Sequence, residues 1–233
     1  MIMYRVGRYH PTDSMSELIC DNYPMLLVMS RFGIDLGFGE DTIAEVCAKS
    51  GVDLDTFLSV VNLLILGNRR DYKVDDCKSI SLLTMIQYLK RSHNYFLEYR
   101  LPVIRRELIE ALGRDDDIVS IVIVKYYDEY VAEVYNHMMY EENTLFPYIT
   151  SVVDGLSSDQ YSSDVYSEHH DKVAAKLSEL KSIIIKYYPA KTTNSLTTVL
   201  YDIFSCERDL ASHNDIEDLL LVPALKLYET DKK

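Results

Sequence analysis

Two segments of this chain repeat one spacing. His137 is followed four residues later by Glu141 and then by Pro147, and His213 is followed by Glu217 and Pro223 at the same intervals. On a helix, positions i and i+4 share a face, so each segment puts an imidazole and a carboxylate side by side. Both pairs end an apolar stripe of three-four spacing. One stripe reads Ile123, Tyr127, Tyr130, Val134, His137, Glu141, and the other Leu196, Val199, Ile203, Cys206, Leu210, His213, Glu217. Two further stripes carry a histidine of their own: Ile86, Leu89, His93, Phe96, and Tyr166, His170, Val173, Leu177, Leu180, Ile184.

Four helices therefore each present one histidine on the face that must be buried, and two add a glutamate. A single core histidine is ordinarily explained by a hydrogen bond. Six polar groups converging on one core need a shared partner, because buried charge must be paired or metal-bound. The separation of His93 from His137 is 44 residues and that of His170 from His213 is 43, so the region reads as two helical hairpins with equivalent half-sites. Two half-sites suit two metal ions, with Glu141 and Glu217 as bridging carboxylates. Nitrogen and oxygen donors without thiolate fit iron, manganese or zinc. The Glu-x-x-His spacing of ferritin-like sites is a different pattern.

The same periodicity sets the expected architecture: an all-α chain in which an antiparallel four-helix bundle over residues 76–230 follows a small helical domain over residues 1–72. Breaks between the bundle helices fall near residues 113–117, 154–158 and 189–193, and the polar run 68–76 reads as a linker. In the N-terminal region, Asp41-Thr42 and Gly51 bound one short helix, and Asp53 or Asp55 caps the next, which runs to Gly67. Pro102 and Pro147 fall in or beside helices and predict a kink or an early end. Only 8 Gly and 6 Pro in 233 residues agree with helices rather than a turn-rich sandwich.

A net charge of −13 argues against a nucleic-acid partner. No apolar run is long enough to span a bilayer and the N-terminus lacks a secretory core, so a cytoplasmic location is expected. Cys20, Cys47, Cys77 and Cys206 are widely spaced and read as reduced thiols. His10 reads as a surface residue. His169 falls off the stripe that selects His170, and the hydroxyls of Tyr130 and Tyr166 are placed to hydrogen-bond near the site or simply to pack.

The segments His93-Asn94-Tyr95-Phe96 with Leu101-Pro102, HMMYEENTLFP from His137, Glu168-His169-His170-Asp171, and HNDIEDLLLVP from His213 resemble the hemerythrin-like (HHE cation-binding) proteins. Within that group they are most similar to the Repair of Iron Centres family. The resemblance implies a non-haem di-iron site held by His93, His137, Glu141, His170, His213 and Glu217. The oxygen-carrying hemerythrins fit less well. Their additional third-helix histidine would fall at Tyr166 or Ala174, and their fourth-helix carboxylate at Asp218. The resemblance further implies protection or repair of iron–sulfur centres under nitrosative or oxidative stress. An O2- or NO-binding sensor or carrier and a di-iron oxidoreductase such as an NO reductase are the alternatives. The expected partners are NO, O2, damaged iron–sulfur proteins and a second copy of the chain; nucleic acid and membrane are not expected. Residues 30–47 resemble that family's small N-terminal domain, with Gly37-Phe38 where its members carry a Cys-Cys pair. Such a step supplies no thiolate, so residues 1–70 are expected to serve packing or dimer contact, with Phe38 at an interface or against the bundle, and Cys47 is the remaining thiol of interest.

Overall fold

A computed structural model describes residues 7–66, 77–113, 118–156, 170–188 and 194–231. The proposed linker and most of the expected inter-helix breaks lie outside these ranges. Among the described residues the regular structure is entirely helical, with one isolated bridge between Ser14 and Thr42. No described helix is long and apolar enough to cross a membrane.

Four short helices come first: α1 (Met15–Asp21), α2 (Met25–Phe32), α3 (Ile43–Ser50) and α4 (Leu54–Leu66). Their ends follow from local chemistry. Thr42 caps α3 in a reciprocal box with Glu45, and Gly51 closes it in the left-handed region. Asp53 Oδ1 accepts the Thr56 backbone N–H at 2.8 Å and so opens α4. Then come α5 (Leu82–Asn94), α6 (Leu101–Leu112), α7 (Ile118–Tyr140), α8 (Phe146–Val153), α9 (His170–Tyr187), α10 (Asn194–Ile216) and α11 (Val222–Asp231).

By backbone packing the chain divides into two compact units. One comprises Met1–Ser92, Tyr148–Tyr161 and Asp215–Lys233, and the other His93–Pro147 and Ser162–Asn214. In the first unit, Phe32 meets Phe57 at 5.2 Å and Tyr88 at 4.7 Å between ring centroids. Asn62 exchanges two hydrogen bonds with the Tyr9 backbone, at 2.7 and 3.1 Å. Gly33 ends α2 with φ +73°, and a Cβ there would sit 2.5 Å from the Arg91 guanidinium. The left-handed conformation favours glycine, while the guanidinium, at the end of a flexible side chain, could give way. Gly37 has φ +100°, so a Gly at this position of the Gly37-Phe38 step matches a backbone that side-chain-bearing residues rarely adopt. Phe38 itself is half-buried.

In the second unit, α6, α7, α9 and α10 contribute to one apolar core. It includes Leu108 of α6, Ile123 and Val134 of α7, Leu180 of α9, and Val199 and Ile203 of α10, each buried. The described apolar residues of the predicted stripes on α7, α9 and α10 are thus buried in this core. Tyr127 donates its hydroxyl to the Leu101 carbonyl at 2.9 Å, and Tyr188 donates to that of Leu112 at 2.9 Å.

Three π-helical turns interrupt the helices: Tyr95–Arg100, Glu141–Leu145 and Glu217–Leu221. Each is followed by a proline, at Pro102, Pro147 and Pro223. A proline removes the hydrogen bond to the carbonyl four residues back and crowds it. Those carbonyls belong to Glu98, Asn143 and Leu219, and all three lie inside the π-turns. Widening the preceding turn lets the helix pass the proline, so the expected kink or end is realised as a local expansion. At Leu219 the carbonyl that Pro223 cannot serve accepts the Cys77 thiol at 3.5 Å.

Candidate metal centre

The π-turns begin beside the polar residues singled out by the repeat. Glu141 and Glu217 are each the first residue of one, and His93 lies two residues before the third. Turns of this kind recur at functional sites because they re-aim side chains without ending the helix.

Glu141 lies at the centre of the best-defined contacts. Its Oε2 is 3.0 Å from Nε2 of His93 on α5, and its Oε1 is 3.1 Å from Nε2 of His137 on α7. One carboxylate therefore faces two imidazoles carried by different helices. The His213 ring is 5.1 Å from that of His93, tilted by 58°. His93, Glu141 and His213 each offer a ligand atom, and these atoms lie within 4.8 Å of one another. Exposure is 1% for His93, 9% for His137 and 0% for Glu141, His213 and Glu217.

The cluster is apolar on its flanks. Phe146 stacks on His93 at 5.5 Å with 16° between planes, and Phe96 meets His213 edge-on at 6.0 Å. A fully buried carboxylate among three imidazoles forms a donor set of the N/O type that divalent first-row metals take. The residues present fit a cation, and a dry, aromatic-walled setting strengthens each electrostatic contact within it.

His93, His137, Glu141 and His213 are thus all buried at or beside this cluster, and Glu217, four residues beyond His213, is fully buried. His170 opens α9, and its side chain lies outside the described residues, as does the whole of His169. Tyr166 also lies outside them. Tyr130 packs in the bundle core seven residues before His137, and its hydroxyl has no hydrogen-bond partner among the described residues. Burial pushes the phenols of Tyr130 and Tyr127 well above the usual range, so both stay protonated.

Two features escaped the sequence reading. Glu142, adjacent to Glu141, lies with Oε1 3.0 Å from Nδ1 of His93. Phe146 stacks on His93, a contact no local spacing announces, whereas Phe96 was already on the inward stripe. The doubled glutamate was the available signal for the first, but an acidic residue off the apolar stripe looks like a solvated one.

A buried cluster of imidazoles and carboxylates within a helical bundle defines a cation-binding helical protein. The hemerythrin HHE cation-binding domain model matches residues 84–225, and the chain belongs to that family. Comparison with individual curated proteins gives no match.

Proposed function

We propose that the chain is a non-haem di-iron protein that protects or repairs iron–sulfur centres under nitrosative or oxidative stress. The observation that carries the metal reading is the Glu141 carboxylate, with one oxygen toward His93 and the other toward His137. That is the disposition a bridging carboxylate needs. His93, His137, His170 and His213 would supply nitrogen, and Glu141 and Glu217 would bridge. Manganese or zinc are substitutes of similar donor preference. When bound, a pair of irons supplies one-electron redox chemistry and coordination of small diatomic ligands such as NO and O2. The chain's own residues hold the donors in register and wall the imidazoles with Phe96 and Phe146.

The repair role rests on the resemblance of HMMYEENTLFP and HNDIEDLLLVP to the Repair of Iron Centres family. It is tested by incubating the iron-loaded chain with an NO-damaged [4Fe–4S] protein and following recovery of that protein's cluster absorbance. Recovery above an iron-only control is expected. No recovery, with an optical spectrum that changes reversibly on exposure to O2 or NO, would replace repair with sensing or carriage. Steady consumption of NO with an electron donor would replace it with turnover. Metal analysis of anaerobically purified chain is expected to give about two ions per chain, and less than one after reconstitution would overturn the binuclear reading.

A further inference from the structure

His93 lies between two carboxylates. Its Nε2 is 3.0 Å from Glu141 and its Nδ1 is 3.0 Å from Glu142. The two glutamates are consecutive and open the same π-turn, which begins at Glu141. Glu141 is fully buried, whereas the Glu142 side chain is 24% exposed. Beside it lies a cavity of about 630 Å³ whose lining includes His93, Glu142, Asn94, Leu97, Tyr135 and Met139. The ring thus has an inner nitrogen toward the cluster and an outer one toward a carboxylate at the cavity edge.

We propose that Glu142 is a positioning residue: it holds His93 in the tautomer and orientation that present the Nε2 lone pair to the metal. A neutral imidazole carries one N–H. With the proton on Nδ1, that N–H donates to Glu142 and Nε2 is a ligand. With the proton on Nε2, an N–H points into the cluster and the bare Nδ1 lone pair opposes the Glu142 oxygen. The first arrangement satisfies both carboxylates once a cation stands between Nε2 and Glu141, and the second blocks the cation. Phe146, stacked on the ring at 5.5 Å, opposes rotation out of this plane. A ligating histidine whose other nitrogen is fixed by a carboxylate is a more basic and better-aimed donor, and loss of such a partner weakens metal affinity by roughly 10–100-fold.

The inference rests on the reading of the cluster as a metal site, and the experiment separates the two. Zinc affinity of the full-length chain is measured by competition with a chromophoric chelator for wild type, Glu142→Gln and Glu142→Leu. Nitrogen-15 NMR of the histidine rings records the His93 tautomer in metal-free and zinc-bound protein. The expected results are Nδ1–H on His93 in wild type, a loss of roughly 10–100-fold for Glu142→Leu, and retention of most of the affinity by Glu142→Gln, whose amide oxygen still accepts from Nδ1–H. An unchanged affinity in Glu142→Leu overturns the role. So does a Glu142→Gln variant as weak as Glu142→Leu, which would make charge rather than hydrogen bonding the operative property. If wild type takes up no zinc, the metal reading fails, and the state of His93 in the metal-free chain still decides the part played by Glu142: a ring with no proton on Nδ1 overturns it.

Discussion

Glu141 reaches His93 with one carboxylate oxygen at 3.0 Å and His137 with the other at 3.1 Å, and the carboxylate is fully buried. A buried carboxylate is an energetic burden unless something positive shares its space. Replacing Glu141 alone leaves the His93 and His137 nitrogens buried without their partner, so the metal-free bundle should lose stability as the site is removed. For Glu141→Leu the expected outcome is a lowered melting temperature without metal, and loss of the metal-induced rise seen in wild type. A ligand at 100 times its Kd stabilises by about 2.7 kcal/mol, so the lost increment is measurable by calorimetry. A metal-induced rise equal to that of wild type would show that Glu141 is not a ligand.

The legibility of this site in the sequence follows from the range of the interactions. His137 and Glu141 are four residues apart on one helix, so their meeting needs only helical periodicity, and the same holds for His213 and Glu217. The burial of α7 and α10 along Ile123, Val134, Val199 and Ile203 follows from that periodicity as well. Glu142 was not legible because its partner is His93, 49 residues away, and no local pattern encodes such a pairing. The π-turns were half legible. Pro102 and Pro147 announced a disturbance, but whether a helix bends, stops or widens depends on what the neighbouring turn can accommodate.

The paired histidines at the start of α9 offer a register test. The stripe through Val173, Leu177, Leu180 and Ile184 selects His170 over His169, and Leu177, Leu180 and Ile184 are buried. His170→Ala should lose at least one metal equivalent, and His169→Ala should keep the wild-type stoichiometry, by metal analysis after reconstitution. The reverse pattern would place the helix register one residue off.

Two tyrosines on α7 should respond oppositely to loss of their hydroxyls. Tyr127 donates to the Leu101 carbonyl at 2.9 Å, whereas Tyr130 is buried with no hydrogen-bond partner among the described residues. Tyr127→Phe should cost about 0.5–1.5 kcal/mol, the net worth of one intramolecular hydrogen bond. Tyr130→Phe should be neutral or stabilising, since it removes a buried polar atom that gains nothing in return. Urea unfolding of the metal-free variants measures both. A clear loss for Tyr130→Phe would reveal a partner for that hydroxyl.

Cys47 lies on α3, 1% exposed, where burial first and the Asp53 charge second push its thiol from the ordinary 9.0 up to about 12. The thiolate is the nucleophile and metal ligand, so at neutral pH this thiol is inert. Alkylation at pH 8 followed by mass spectrometry should label the exposed Cys20 readily and Cys47 only as the chain unfolds. The raised value also fixes a sign for stability. Below about pH 9 the thiol is protonated in both states, and its contribution is fully present. As pH climbs toward about 12 the unfolded chain ionises first, and the contribution is lost. Tyr126, whose hydroxyl donates to Glu179, and Tyr148, raised first by burial and then by its bond to Glu229, are both pushed up to about 12 and titrate in the same window. The comparison that isolates Cys47 is therefore Cys47→Ala against wild type, by thermal unfolding from pH 8 to pH 11. The variant should lose stability less steeply above pH 9 than wild type. Parallel curves, or rapid alkylation of Cys47 in the folded chain, would return this thiol to consideration as a redox group.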